Sequence, residues 1–389
     1  MHFDFSLAHA ALQAHVDAQR LPGVSAVVTL NGEPVDEFCT GFADLEAQIR
    51  LRPDHIHRAF SNTKLLTSLL LLRLADEGHV GLDDPVSRWL PGFAGTRVLR
   101  SGATTLDDTE ALRRPLTLRD LLSHQAGLSH ALFDPGSLLF EAYAACGVRR
   151  PDTTLAASAE VLSTLPLNRQ PGTAWEYSIA PDLLGRVAEI ITGQPFATAL
   201  QARLLEPLGL SDTGFVLRPD QVPRLAALYG GDAMEPLKPG LERLDGLPWP
   251  RAYVAPVPRQ SAAGGLFTTQ GDMLAVLHQL LPRRGTLLQP ATLADLVRDQ
   301  LPATANVNFP QTGAIPGLGF GLAGAVTRAH WALEPTTPVG EVQWGGLAGT
   351  HWAVAPAQGV AIVLMTQRYM GFWNPFWFDY KSLVYAALR

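Results

Sequence analysis

Residues 59–66 read Ala-Phe-Ser-Asn-Thr-Lys-Leu-Leu, and this stretch decides the fold and the chemistry that we expect. It contains Ser61 and, three residues later, Lys64, one of only three lysines in a chain of 389 residues. Residues three apart on a helix share a face. An arginine keeps its proton in a protein, whereas a desolvated lysine can lose it and become a base. Ser61 and Lys64 are therefore a candidate nucleophile and base.

The helix that carries this pair is expected to be buried. Residues 60–77 are apolar nearly all round the predicted helix, and Gly78 is placed to end it. A serine near a helix N-terminus has a backbone N–H that is free to donate to a developing oxyanion. The positive end of the helix dipole disfavours a protonated Lys64, so we expect the pKa of this amine to be lowered. Because Ser-x-x-Lys is a short motif, a chance occurrence stays an alternative.

The two ends of the chain predict a shared sheet. An amphipathic helix is expected at the start, and the turn Asn31-Gly32 is a strong signal for a β-hairpin. A second antiparallel pair and a closing helix are expected at the end. The predicted helices cover residues 4–20 and 376–388, and the predicted strands cover residues 24–30, 35–42, 341–354 and 360–366.

The middle of the chain has a different sequence pattern from its two ends. Between residues 82 and 169, short helical patterns alternate with Pro and Gly turns, and strand signals are scarce. Further helices are predicted over residues 180–192 and 196–205. The predicted fold class is α/β (α+β): an antiparallel sheet flanked by N- and C-terminal helices, plus a mostly helical second domain. The sheet domain would comprise residues 1–81 and 170–389, and the helical domain residues 82–169.

A proton relay and a second oxyanion donor have candidates elsewhere in the chain. Tyr177 follows a Pro-Gly turn and precedes a predicted helix, so its side chain could project from a loop. A phenol beside an ammonium loses its proton more easily and can act as a base. Gly345 and Gly346 lie inside a predicted strand, where paired glycines mark either a bulge or the close approach of a ligand or another backbone. A buried tyrosine with a purely structural role is the alternative for Tyr177.

Composition and missing motifs exclude several classes of function. The net charge is −6 and no Lys/Arg-rich run occurs, so nucleic-acid binding has no electrostatic support. The chain starts without a signal-peptide pattern, and its most apolar run, residues 65–75, is too short to span a bilayer. We therefore expect a cytoplasmic protein that binds no membrane. No zinc, Walker, dinucleotide or Gly-x-Ser-x-Gly motif occurs, so no metal or cofactor is predicted.

The aromatic segment 372–380 near the end of the chain has two interpretations. It could line an acyl pocket or form an oligomer contact, or it could pack the last helix into the core. Core packing is the favoured interpretation.

The order of these motifs resembles the serine β-lactamase and penicillin-binding protein superfamily. Ser61-x-x-Lys64, then Tyr177-Ser178, then Trp344-Gly345-Gly346 is most similar to its esterase branch, the family VIII carboxylesterases with a class C β-lactamase-like fold. Supporting segments cover most of the chain, at residues 82–86, 121–128, 207–210 and 264–266.

The resemblance implies roles for particular residues. Ser61 would be the nucleophile, and Lys64 and Tyr177 the general base and proton relay. The backbone N–H groups of Ser61 and Leu347 would form the oxyanion hole. No metal or cofactor would be needed.

Two positions depart from the β-lactamase pattern and bear on substrate binding. Ile179 stands where those enzymes usually have an asparagine, and Trp344-Gly345-Gly346 stands where they have Lys-Thr-Gly. Both changes remove polar recognition of an anionic amide substrate. We therefore expect Trp344, Gly345, Gly346 and Ile179 to contact a neutral, apolar ester.

The predicted function is a serine carboxylesterase that acts on a small-molecule ester through an acyl-serine intermediate. A β-lactamase, a D-amino-acid peptidase or amidase, or an acyltransferase on the same fold is the alternative. A binding protein without catalysis is a third reading, which an intact Ser61, Lys64 and Tyr177 set disfavours. A homo-oligomer is left open.

Overall fold

The computed structural model describes residues 3–130, 132–232, 235–244, 246–249, 251–310, 313–371 and 375–389. Its helices are α1 (Ser6–Asp17), α2 (Thr63–Asp76), α3 (Leu118–Leu122), α4 (Leu138–Cys146), α5 (Leu155–Ser163), α6 (Ala180–Thr192), α7 (Phe196–Leu200), α8 (Gln270–His278), α9 (Pro290–Val297) and α10 (Pro375–Ala387). Its strands are β1 (Gly23–Leu30), β2 (Glu33–Asp44), β3 (Ile49–Arg50), β4 (His57–Arg58), β5 (Arg97–Leu99), β6 (Thr109–Ala111), β7 (Tyr229–Gly230), β8 (Glu242–Arg243), β9 (Phe267–Thr268), β10 (Asn308–Phe309), β11 (Gly313–Ala314), β12 (Leu318–Phe320), β13 (Ala325–Thr327), β14 (Val342–Gly345), β15 (His351–Ala355), β16 (Val360–Met365) and β17 (Arg368–Tyr369).

An antiparallel sheet joins the two ends of the chain. Its strand order is β12-β13-β14-β15-β16-β1-β2-β3, so that β1 near the start pairs with β16 near the end. Helices cover both faces of the sheet, because alternate residues of β1 enter different cores. Val24, Ala26 and Val28 pack with α1 and α10, whereas Val27 belongs to the core that contains α2 and α8. The predicted fold class is confirmed.

The β1–β2 hairpin turns where the sequence predicted. Asn31 and Gly32 have φ values of 53° and 79°, both in the left-handed region that Asn and Gly tolerate best. The prediction of one strand over residues 341–354 is wrong, however. The chain reverses between β14 and β15, and the Gly346 N–H donates to the Thr350 carbonyl at 2.6 Å across the turn. The two glycines lie at the end of a strand rather than within it.

Helix α2 is central, as its apolar sequence predicted. All but three of its 14 residues are buried, including Lys64. The predicted helix start is tighter than an α-helix, because residues Phe60–Asn62 form a 3₁₀ turn before α2 begins. The helical layer around α2 draws on several parts of the chain, with α6 packing on α2, α3 and α5. The division into domains at residues 82 and 169 stays a prediction.

The described part of the aromatic segment near the C-terminus packs into the core, which is the interpretation that the sequence favoured. Phe376, Trp377 and Tyr380 on α10 are buried against the sheet. Residues 372–374 lie outside the described residues. Within the described ranges, none of the helices combines the length and the apolar composition that a bilayer crossing requires.

Candidate active site

Ser61 sits on a strained turn at the entrance to α2. Phe60, directly before it, has φ of 45°, a left-handed conformation that is costly for a bulky residue. The turn is fixed on both sides. The Ala59 N–H donates to the Leu266 carbonyl at 2.9 Å, and the Asn62 N–H donates to the Ala59 carbonyl at 3.1 Å. Such a turn presents the half-buried Ser61 hydroxyl at the surface of a cavity.

Lys64 lies one helical turn along and points at Ser61. Its Nζ is 3.2 Å from Ser61 Oγ and donates to the Ala263 carbonyl at 2.6 Å. The side chain is 4% exposed. Burial lowers the pKa of Lys64 to about 7, with Arg149 acting in the same direction and Asp182 against it. The pKa of Lys64 is therefore lowered, as predicted. The largest cause is desolvation rather than the helix dipole.

The other two lysines show why Lys64 differs. Lys381 is also buried, but its Nζ lies 2.5 Å from carboxylate oxygens of both Glu334 and Glu341, and its pKa is raised by these partners against the effect of burial. Lys238 is exposed and pairs with Asp232 at 3.1 Å. Within the described parts of the chain, Lys64 alone among the lysines has no carboxylate within ion-pair distance. Burial without a counter-ion favours the neutral amine.

Tyr177 approaches Ser61 from the loop before α6. Its hydroxyl donates to Ser61 Oγ at 2.6 Å, and Lys64 Nζ lies 4.6 Å from the centre of its ring. Trp344 Nε1 donates to the same hydroxyl at 3.4 Å. Burial, the largest cause, raises the pKa of Tyr177, although its bonds to Ser61 and Trp344 act against this. The expectation that Tyr177 loses its proton easily is therefore wrong. The amine suits the role of base, and the phenol that of proton donor.

The end of β14 brings a second backbone donor to the site. Ser61 and Leu347 line the same cavity, and within the described chain neither backbone N–H donates to a protein acceptor. Gly346 sits so close to the Ser61 turn that a Cβ there would collide with the Ala59 carbonyl and with Thr350. Of the two interpretations of the glycine pair, the structure therefore supports the close approach of another backbone. The pairing of Ser61 and Leu347 as an oxyanion hole stays a prediction.

The cavity in front of Ser61 has a volume of about 170 Å³. Its wall combines apolar, cationic and imidazole side chains, among them Phe60, His130, Arg149, Ile179, Arg259 and Leu347. Ile179 lies where a contact with substrate was predicted. Trp344, Gly345 and Gly346 do not line this cavity, because Trp344 is buried behind Tyr177 and the glycines abut the backbone. Direct contact of these three residues with a substrate stays a prediction.

Sequence reasoning missed a buried carboxylate that supports the site. Asp182 on α6 is 1% exposed and binds the loop that contacts Lys64. It accepts from Arg259 Nη2 at 2.6 Å, from Ser261 Oγ at 2.9 Å and from the Ala263 N–H at 2.8 Å. Asp182 thereby holds the residue whose carbonyl accepts the Lys64 hydrogen bond. An aspartate at an apolar helix start was the available signal.

Comparison with known proteins shows which family and which relatives this chain resembles. Residues 8–372 match the family model described as Beta-lactamase. Esterase EstB of Burkholderia gladioli is 34% identical over 406 residues, covering 98% of this chain and 97% of that protein. Lovastatin esterase of Penicillium rubens is 30% identical, with 88% of each chain covered.

A solved structure extends the agreement to three dimensions. EstCE1, described as a hydrolase with promiscuous acyltransferase activity, superposes with a TM-score of 0.81 at 28% identity, and 97% of each chain is covered. The resemblance predicted from the motif order is confirmed. The chain belongs to the beta-lactamase family and is a serine hydrolase.

Proposed function

We propose that this protein is a carboxylesterase that forms an acyl-enzyme on Ser61. The observation that carries the proposal is the meeting of three side chains. Ser61 Oγ lies 3.2 Å from the buried amine of Lys64 and 2.6 Å from the hydroxyl of Tyr177. Relatives that cover nearly the whole chain are named esterases, which supports ester cleavage as the reaction.

Acylation begins with proton transfer from Ser61 to Lys64. The neutral amine accepts the hydroxyl proton while Ser61 Oγ attacks the ester carbonyl carbon. The carbonyl oxygen becomes an oxyanion, and the N–H groups of Ser61 and Leu347 donate to it. The close contact between Gly346 and the Ser61 turn supports this pairing of donors.

Collapse of this intermediate requires a proton for the leaving alkoxide. Tyr177 keeps its proton because burial raises its pKa, so it can donate to the alkoxide and be reprotonated from the Lys64 ammonium. Water then attacks the acyl carbon while Lys64 again accepts a proton. The bond between Ser61 Oγ and the acyl carbon breaks, Lys64 returns the proton to Ser61 Oγ, and the carboxylic acid leaves. The cycle restores neutral Lys64 and protonated Tyr177.

The wall of the site supports an ester rather than a lactam. Ile179 lies in the cavity wall without an amide to hold an amide substrate, and Trp344 uses its one N–H on Tyr177. Acyl transfer to a second alcohol is the alternative reaction, because EstCE1 is described as having both activities. The two reactions share the acyl-enzyme and differ only in what attacks it.

Trapping the acyl group tests the proposal. We expect quenched protein that has been mixed with p-nitrophenyl butyrate to gain the mass of one butyryl group, and peptide mapping to find it on the Ser61 peptide. Acylation at another residue, or turnover with no acylated peptide at steady state or after rapid quenching, would contradict the proposal. Added butanol distinguishes transfer, because it would divert the acyl group into butyl butyrate.

The proposal also predicts a pH profile. Burial lowers the pKa of Lys64 to about 7, and the base must be neutral to accept a proton. We expect kcat/KM for p-nitrophenyl butyrate to rise about tenfold per pH unit below this value and to level off above it. Because the pKa of Tyr177 is raised, this phenol should cause no loss of activity up to pH 9. A profile that falls with rising pH between 6 and 8 would exclude Lys64 as the base.

The helical domain at residues 82–169, a cytoplasmic location and the state of assembly stay predictions. The site needs only residues of this chain, which supports catalysis by a single protomer.

A further inference from the structure

The loop of residues 261–266 gives the Lys64 amine its hydrogen-bond acceptor. The Ala263 carbonyl accepts from Lys64 Nζ at 2.6 Å, and the Ala262 carbonyl accepts from Thr67 Oγ1, further along α2, at 2.7 Å. Two successive carbonyl groups of this loop therefore face α2. Because residues 261–266 belong to no helix or strand, the position of these carbonyls depends on the contacts that hold the loop.

Asp182 holds the loop from the side of α6, and its two oxygens divide the work. Oδ1 accepts from Ser261 Oγ at 2.9 Å and from the Ala263 N–H at 2.8 Å, whereas Oδ2 accepts from Arg259 Nη2 at 2.6 Å. The carboxylate is 1% exposed, so water competes little for these bonds. All three donors lie within five residues of one another, and one carboxylate therefore fixes the conformation of the whole stretch.

Helix α6 packs closely on the same loop. Gly185 lies three residues after Asp182 and therefore on the same face of the helix. A Cβ built on Gly185 would lie 2.7 Å from the Cβ of Ala262. The loop thus lies between α6 on one side and α2 on the other, with little room to move.

The Ala263 carbonyl matters because a base must direct its lone pair. A neutral lysine amine has two N–H groups and one lone pair, and only the lone pair can accept the Ser61 proton. Donation of one N–H to the Ala263 carbonyl fixes how the amine is turned about its last bond. If the carbonyl moved, Lys64 would follow it and its lone pair would leave the Ser61 hydroxyl. A misplacement of about 1 Å at a reacting centre can cost about 10²-fold in rate.

We propose that Asp182 is a positioning residue for the reaction at Ser61, because it holds the Ala263 carbonyl that directs the Lys64 amine at the serine hydroxyl. The inference rests on the proposed function. Asp182 is absent from the described residues that line the cavity, so it acts through Lys64 and not on the substrate. Its charge acts on the same amine, since Asp182 raises the pKa of Lys64 against the larger effect of burial.

Asp120 provides a matched comparison within the same chain. It is 4% exposed and also accepts from a guanidinium, a hydroxyl and a backbone N–H: Arg114 Nη1 at 2.6 Å, Thr117 Oγ1 at 2.8 Å and the Thr117 N–H at 2.9 Å. These bonds cap the start of α3, and neither Asp120 nor Arg114 is among the described residues of the cavity wall. Asp120→Asn therefore disturbs an equivalent set of buried bonds without disturbing the support of Lys64.

Other titratable groups surround the Lys64 amine but keep their charge near neutral pH. They are Tyr177, whose ring lies beside the amine, the imidazoles of His124 and His130, and Arg149. Burial raises the pKa of Tyr177 and holds the pKa of both imidazoles well below its ordinary value. None of these groups is expected to change charge between pH 6 and 9. A midpoint near 7 in this range therefore reports on Lys64.

Asp182→Asn is the first test. An amide has only one accepting oxygen, so it cannot serve both the Ala263 N–H and Arg259. We expect kcat for p-nitrophenyl butyrate at pH 9 to fall by about tenfold or more, with KM changed less than about threefold. The pH midpoint of kcat/KM should fall by about half a unit or more, because loss of the negative charge favours the neutral amine. Asp120→Asn should change neither value, and melting temperatures report any loss of folding.

NMR of the lysines separates this inference from the proposed function. The chain has only three lysines, so protein labelled with ¹³C at the lysine Cε gives a simple spectrum. The Lys64 signal is identified by its absence from Lys64→Met. We expect its titration midpoint to be lower by about half a unit or more in Asp182→Asn and unchanged in Asp120→Asn. This measurement needs no substrate and no turnover.

The outcomes decide between the two proposals. A fall in kcat no larger than that of Asp120→Asn, or an unchanged Lys64 midpoint, would overturn the role of Asp182 and leave the esterase function standing. A lowered midpoint in a protein that cleaves no ester would support the action of Asp182 on Lys64 and refute the esterase proposal alone. If Asp182→Asn does not fold, Ser261→Ala replaces it, since this variant removes one tether of the loop and keeps both charges. We then expect kcat to fall at least about threefold at an unchanged midpoint, and an unchanged kcat would overturn the proposal.

Discussion

The Ser61→Ala protein is expected to keep its fold and to lose hydrolysis of p-nitrophenyl butyrate by about 10⁴-fold or more. Removing the hydroxyl removes the atom that becomes acylated, and no other group can take its place. Lys64 and Tyr177 would keep their other contacts, with the Ala263 carbonyl and Trp344 respectively. The measurement is kcat/KM at pH 8, with melting temperature and circular dichroism as checks on folding.

Ser68→Ala is the matched control for this loss. Ser68 lies on the same helix, is 4% exposed and donates to the Leu322 carbonyl at 2.8 Å, well away from the cavity wall. We expect it to lower stability by about 1 kcal/mol and to leave kcat/KM within about twofold. Equal activity in the Ser61→Ala and Ser68→Ala proteins would rule out Ser61 as the nucleophile.

Lys64→Arg is expected to be nearly as damaging, with a loss of about 10³-fold in kcat/KM. The substitution keeps a positive charge and a long side chain, but a guanidinium cannot lose its proton and so cannot accept one from Ser61. The effect should persist at every pH between 6 and 9, because no pH in this range makes arginine neutral. A retained pH dependence with a midpoint near 7 would mean that another group is the base.

Two further variants keep this prediction testable. Lys64→Met removes the charge from a buried site, so it should fold even if the larger guanidinium does not fit. Its activity should be as low as that of Lys64→Arg. Lys238→Arg makes the same change at an exposed ion pair with Asp232, and it should behave as the unmodified protein. Activity in Lys64→Met above about a tenth of the original would contradict the role of Lys64.

Elements defined by local chemistry were predictable from the sequence. The Asn31-Gly32 turn supplies the two positive φ values that its hairpin needs, and the apolar run after Ser61 leaves no polar face for a surface helix. The strand over residues 341–354 was predicted wrongly because Trp344 and Trp352, which pair across β14 and β15, are equally suited to one long strand. The turn between them depends on the fit of Gly346 against Ala59.

The site was predictable as a set of residues but not as an electrostatic environment. Ser61 and Lys64 follow from their spacing and Tyr177 from the order of motifs, and the structure brings all three together. The raised pKa of Tyr177 depends on burial among residues distant in sequence. Arg149 and Arg259 gave no local signal, because they are two of 30 Lys and Arg residues and only the fold brings both to the cavity wall. Long-range packing alone selects these two.

The contact between Gly346 and the Ser61 turn has a consequence for how the protein can change. Ser61 and Leu347, the predicted nucleophile and the predicted second oxyanion donor, lie on either side of a contact that has no room for even a methyl group. Arg149, on another part of the cavity wall, is exposed and lies in the loop after α4, where substitutions are generally better tolerated. Substitutions in such a loop can therefore change substrate selectivity while the residues that carry out the reaction stay the same.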